Sequence, residues 1–209
     1  MQIVSVNIGK AQKIDAKSGE SGIFKKPQDT SVFVSELGLQ DDVIVDTENH
    51  GGVDQAVYLY TVPDYVWWSA QLERDLLYGT FGENLTISEL ESAKLCVGDT
   101  LTIDDIILQV TAPRVPCVTL ATRMNDPQFV KKFIAGRRYG AYCRVLQTGQ
   151  VASGLSVTHT PFDGERVTIN EFADVFYARK HEREQLERLL STPVPQKVIS
   201  RFETLLADL

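Results

Sequence analysis

Cys117 closes the stretch Pro113-Arg114-Val115-Pro116-Cys117, with an arginine three residues before it and Thr119 two residues after. Nearby positive charge favours the thiolate, the form of cysteine that ligates soft metals or attacks electrophiles. Pro113 cannot donate to a sheet ladder, and each proline restricts the residue before it. The stretch therefore reads as a stiff extended rod that ends a β-run from Ile106 to Thr111. In an extended chain residues two apart share a face, which aims Cys117 and Thr119 the same way. Taken alone, a buried structural cysteine explains the stretch better, because free cysteines are among the most buried residues.

Three other stretches carry candidate chemistry. In Asn49-His50-Gly51-Gly52-Val53-Asp54-Gln55 the paired glycines permit positive φ, so that backbone N–H groups can converge on an anion, with His50 and Gln55 as flanking donors. Gly82-Glu83-Asn84-Leu85 presents a carboxylate and an amide at the mouth of a strand. Gly136-Arg137-Arg138-Tyr139-Gly140 sets two arginines between glycines, near Lys131 and Lys132, and Arg offers a planar fork for phosphate. Each has a plain alternative: a glycine turn, a polar loop, an exposed basic loop. A nucleophilic pair of Cys117 with His50 or His159 stays open. Cys-x-x-Cys, His-Glu-x-x-His and P-loop spacings are absent, and the three scattered cysteines argue against a closed structural zinc site.

The elements that must position these residues read as mainly β over residues 1–165. Strands are predicted at Ile3–Ile8, Ser31–Val34, Val43–Asp46, Ala56–Tyr60, Leu85–Ile87, Thr100–Ile103, Ile106–Thr111 and Ala141–Leu146, with a hairpin turn at Asp104-Asp105. Short strands with Gly/Asp punctuation suggest a barrel or sandwich. One helix is predicted from Thr61 to Gly79, with Pro63 in its first turn and Asp64 placed for a capping box. Another is predicted from Asp126-Pro127 to Gly136, with Phe129 and Phe133 facing the core. Residues 166–209 read as a small three-helix domain. A capping box at Thr168–Glu171 opens the first helix, Glu182–Leu190 forms the second, and Val198 to Leu206 the third.

Whole-chain properties bound the function. The 209 residues are 43% hydrophobic and 23% charged, ordinary for a globular protein. A formal net charge of −7 argues against a general nucleic-acid binder. Three cysteines without short spacing suit a reducing compartment. Gln2–Val6 alternates like a strand rather than a charged leader, and no apolar run reaches membrane-span length. A cytoplasmic protein with no membrane partner is the expectation.

Taken together and in order, several pieces resemble the MOSC family, named for the C-terminal domain of molybdenum cofactor sulfurase. They are His50-Gly51-Gly52 with Gln55-Ala56-Val57, Gly82-Glu83-Asn84-Leu85, Val97-Gly98-Asp99, Pro113-Arg114-Val115-Pro116-Cys117, and Gly140-Ala141-Tyr142-Cys143-Arg144-Val145. The tail from Val167 to Leu209 is similar to the three-helix extension of YiiM-type members, the hydroxylaminopurine-resistance proteins. The resemblance implies a closed or partly open β-barrel that holds a molybdenum cofactor (molybdopterin), with Cys117 as thiolate ligand to the metal. It implies reduction of small N-hydroxylated substrates such as hydroxylaminopurine-type bases, with electrons from a separate flavin reductase. Thr119, His50 and Glu83 are then the candidates for moving protons. Gly51, Gly52, Gln55, Asn84, Arg114, Arg137 and Arg138 are the candidates for holding the cofactor. A homodimer and a pyridoxal phosphate site are further expectations from the family. Two competing readings stand beside this one: a sulfur carrier with a Cys117 persulfide, and a non-catalytic module that binds an anionic ligand.

Overall fold

The computed structural model describes residues 1–47 and 50–209; Asn49, in the glycine-turn stretch, lies outside the described residues. The N-terminal strands are β1 (Ile3–Ile8), β2 (Gln12–Lys13), β3 (Glu20–Ser21), β4 (Lys26–Pro27), β5 (Val32–Ser35) and β6 (Gly38–Leu39). Next come β7 (Val57–Thr61), helix α1 (Val62–Leu72), β8 (Leu85–Ile87), β9 (Thr100–Ile103) and β10 (Ile106–Pro113). Helices α2 (Val118–Met124) and α3 (Phe129–Gly136) precede β11 (Ala141–Gln147), β12 (Gly149–Val151) and β13 (Thr158–Thr160). Three helices end the chain: α4 (Ile169–Tyr177), α5 (Arg183–Leu190) and α6 (Gln196–Ala207). None of the described helices is long and apolar enough to cross a membrane.

Eight strands form one sheet in the order β13-β9-β10-β11-β7-β8-β1-β4. Its pairs are antiparallel except β7 with β8, where the chain crosses over through α1 to return in parallel. The order is a line rather than a ring, so of the closed or partly open barrel expected, the closed form is not found among the described residues. Bonds from the Ile3 N–H to the Leu155 carbonyl and from the Val157 N–H to the Met1 carbonyl, both 2.9 Å, do draw the segment before β13 against the start of β1. The sheet curls on itself without a continuous ladder.

Several predicted elements end differently, for local reasons. The Val43–Asp46 stretch joins no ladder; its Val43 N–H bonds the Gly9 carbonyl at 2.9 Å, and its backbone passes so close to Gly22 that a Cβ there would sit 1.8 Å from the Val43 carbonyl oxygen. Helix α1 starts as expected: Thr61 caps it by accepting the Asp64 N–H at 3.4 Å. It stops at Leu72 instead of Gly79, because Glu73 takes the left-handed conformation (φ 50°) and bonds back to Ser69. The extended rod ends at Cys117 as expected, but Cys117 is the N-cap of α2, so Thr119 lies on a helical turn rather than on the same extended face.

Two hydrophobic clusters organise the interior. In the main one, Trp68 of α1 stacks on Phe133 of α3 with centroids 5.8 Å apart, and Phe81 and Phe129 pack against the same ring. The second gathers Phe172, Leu186, Leu189 and Phe202 from α4, α5 and α6, and roots them on Val97 and on Ala112 of β10. Burying each such side chain contributes roughly 1.5–3 kcal/mol. Strand β10 thus faces the helical tail through Ala112 and leads directly to Arg114 and Cys117.

Candidate functional site

The end of β10 opens into a cleft of about 690 Å³, part of it open to solvent. Cys117, Thr119, His50 and Gly51 line it, as do Gln55, Asn84 and Arg114. The α2 N-terminus places Cys117 here: the Leu120 N–H bonds the Cys117 carbonyl at 3.0 Å and also bears on the thiol. Thr119 reaches the cleft from the first turn of α2, not along an extended face. Gly51 sits at φ 76°, and a Cβ on it would press 2.9 Å from the Ile44 side chain, so the glycine lets the wall close in.

Arg114 is nearly fully buried, and two contacts fix it. Its guanidinium donates to the Phe81 carbonyl and lies 5.0 Å over the Tyr58 ring, and its charge bears on the Cys117 thiol. Phe81 is itself locked in the aromatic cluster, so hydrocarbon packing aims the positive charge at the sulfur. The Nε of Arg114 has no hydrogen-bond partner. Burial by itself would raise the Cys117 pKa, but the hydrogen bond from His50, the charge of Arg114 and the Leu120 N–H outweigh it and pull the thiol down to about 6. Cys117 is therefore largely thiolate at neutral pH. The other two cysteines are the opposite: burial pushes Cys143 up to about 12 and also raises Cys96.

The remaining sequence candidates lie elsewhere. Glu83 is completely buried and does not line the cleft, which corrects its expected role in proton transfer. One of its oxygens accepts from the Tyr65 hydroxyl at 2.5 Å, the Gly79 N–H at 2.6 Å and the Thr86 hydroxyl at 3.0 Å. Burial raises its pKa, and its other oxygen has no partner. Gly52 is exposed and also outside the lining. Arg137 and Arg138 do not reach the cleft either. Arg137 grips Asp174 of α4 with both ends of its fork, at 2.6 and 2.8 Å, and Arg138 pairs with Asp64 at 2.9 Å and Glu91 at 3.2 Å. Their donors are engaged by carboxylates of the chain itself.

Sequence reasoning missed Lys25 and Asp42, an ion pair that lines the cleft with both side chains under a tenth exposed. Asn84 ties this pair to the sheet: its amide nitrogen donates to Asp42 at 2.8 Å, while its oxygen accepts the Tyr58 N–H at 3.1 Å. No local signal marks Lys25 or Asp42, since each sits beside a like charge in a stretch that reads as surface loop.

The chain belongs to the MOSC domain family, which it matches over residues 46–158. It is 35% identical over 192 residues to YflK of Bacillus subtilis (strain 168), covering 90% of this chain and 86% of that one. It is 34% identical over 168 residues to a Gibberella moniliformis (strain M3125 / FGSC 7600) protein named Reductase, covering 77% of this chain and 30% of that longer one. The crystal structure of YiiM from Geobacillus stearothermophilus superposes with a TM-score of 0.82 at 27% identity and covers 98% of each chain. The mixed, sheet-rich architecture with its six helices is the YiiM fold.

Proposed function

We propose that this protein is a molybdenum-cofactor-dependent reductase of small N-hydroxylated compounds, supplied with electrons by a separate flavoprotein. The observation that carries the reading is Cys117 in an open cleft it shares with Arg114 and His50, which favour its thiolate form. A soft anionic sulfur suits molybdenum better than hard-cation chemistry. The rest of the cleft fits the group as well: Gln55 brings a side-chain amide to the same space, and the Nε of buried Arg114 has no partner among the described residues. A relative named Reductase supports the reaction class.

In this reading Cys117 would hold the metal, while Gln55 and Arg114 would bind the pterin and its phosphate. When bound, the cofactor supplies the two-electron couple. Conversion of R–NHOH to R–NH₂ and water takes two electrons and two protons. His50 and Thr119, which line the cleft beside Cys117, orient the hydroxylamine oxygen and pass protons to it. Arg114 keeps the sulfur anionic, and the protein's part is thereby binding, orientation and electrostatics.

The test is elemental analysis of protein purified from a host that makes the cofactor. Near-stoichiometric molybdenum is expected, with its loss in Cys117→Ser. Molybdenum absent from wild-type protein, together with a mass gain of one sulfur on Cys117 after incubation with a cysteine desulfurase, would establish the sulfur-carrier reading instead.

A further inference from the structure

The glycine wall of the cleft is not held by the sheet alone. Residues Val53–Gln55 form a 3₁₀ turn behind Gly52, and Gly51 and Gln55, on either side of it, line the cleft. The Thr111 hydroxyl of β10 donates to the Asp54 carbonyl at 2.7 Å and so anchors the turn from below. The Asp54 carboxylate points the other way, toward the helical tail. One of its oxygens accepts the Gln196 N–H at 2.9 Å, and the other lies 2.8 Å from the Arg144 guanidinium.

Both partners belong to the attachment of the tail. Gln196 is the first residue of α6, whose N-cap is Pro195 and which has no side-chain cap of its own. The first N–H groups of a helix lack intrahelical acceptors, and proline offers no side-chain oxygen to receive one. Asp54 supplies that oxygen from 142 residues away in the chain. Arg144, on β11, also donates to the carbonyls of Pro193 and Val194, at 3.1 and 3.3 Å, in the linker between α5 and α6. Val194 is 2% exposed and belongs to the tail's hydrophobic cluster. One arginine therefore ties the glycine turn and the tail linker together, and one aspartate caps the helix from inside the turn.

We propose that Asp54 and Arg144 are positioning residues, through which the C-terminal helices hold the Gly51–Gln55 wall and set the width of the cleft. The tail is then part of the binding site without touching the ligand. This holds whichever ligand the cleft takes, so it does not depend on the redox assignment.

Gln196→Pro tests it on the full-length protein. The substitution deletes the N–H that Asp54 accepts, at an exposed first-turn position where proline suits a helix. Pro195 already has the extended conformation (φ −60°, ψ 146°) that a following proline requires. Two quantities are read: amide hydrogen exchange in peptides covering 50–57, and the rate of Cys117 alkylation by iodoacetamide at alkaline pH, where the thiolate is fully formed in every variant. Both are expected to rise by roughly tenfold, the scale of losing one charged hydrogen bond. Arg144→Ala should do the same, and Arg144→Lys less, because it keeps the charge but loses the fork. In an Asp54→Ala background, Gln196→Pro should add nothing further. Faster exchange confined to 196–207, with 50–57 and Cys117 unchanged, would overturn the proposal and leave Asp54 as a cap for the tail alone. Gln196→Pro removes no buried group, so the comparison stays readable even if Arg144→Ala loses its fold.

Discussion

Asp99 and the Arg114–Cys117 pair are both charged, both at the ends of β-structure and both packed under side chains, yet they are finished differently. The Asp99 carboxylate is fully buried and saturated: it accepts from the Cys96 N–H at 3.0 Å, the Phe162 N–H at 2.9 Å, His159 at 2.8 Å and Arg166. Burial would raise its pKa, but those donors overcome it and hold the carboxyl below its usual range. At the cleft the shell of Arg114 is incomplete: its Nε has no partner among the described residues. Buried polar groups are normally satisfied, so the exceptions need a reason. The seam at Asp99 spends its hydrogen bonds on fastening the loop after β13 and the entry to the tail. The Arg114 Nε at the cleft has no such task within the described residues.

Asp99→Ala should therefore be the costliest change to stability, about 3 kcal/mol, because two backbone donors lose their acceptor and Arg166 its counter-ion. Urea unfolding at neutral pH measures it, and Cys117 reactivity should stay at its wild-type value. Since the folded pKa of Asp99 is depressed, its contribution is present above the unfolded carboxyl range and lost as pH falls through the folded value. A loss under about 1 kcal/mol would erase the distinction between a saturated and an unsaturated site.

Arg114→Met should act on chemistry more than on folding. In the wild-type protein, peptide-resolved alkylation of Cys117 should be half-maximal near pH 6, while Cys143 stays silent because burial lifts it to about 12. The substitution should move the Cys117 midpoint upward, and below that midpoint each unit costs about tenfold in thiolate. The same depressed acid carries a stability consequence. Its contribution is complete above the ordinary thiol range, about 8.5, and is lost as pH falls through about 6. An unmoved midpoint in Arg114→Met would mean that His50 and the α2 N–H alone ionise the sulfur.

Much of this contrast was legible in the residues. The Pro113–Cys117 stretch announced an arginine near a thiol, and the capping box at Thr168–Glu171 announced α4, because both signals are local. Spacing in one dimension does not fix which way neighbouring side chains point. Glu83 sits beside Asn84, yet the chain just before β8 sends Asn84 to the cleft and Glu83 into the interior behind it. Helix α2 went unseen because the prolines before it read as extended chain, and nothing local marks Cys117 as the residue where that chain turns helical. Lys25 and Asp42 meet only in the folded chain, so neither carried a mark.

Arg137 offers the smallest effect and the sharpest reading of that lesson. From the sequence it belongs to a pair of arginines set to grip phosphate. In the fold it clamps Asp174, with both side chains about half exposed. An exposed pair of this kind contributes only about 0.2–1 kcal/mol, even with bidentate geometry. Arg137→Ala should therefore lower stability within that range, and a double-mutant cycle with Asp174→Ala should recover most of the loss as coupling. Cofactor content, read as molybdenum per chain, should match wild type. A drop in metal content without a drop in stability would place Arg137 at a ligand after all, and would mean that the surface pair with Asp174 opens to release it.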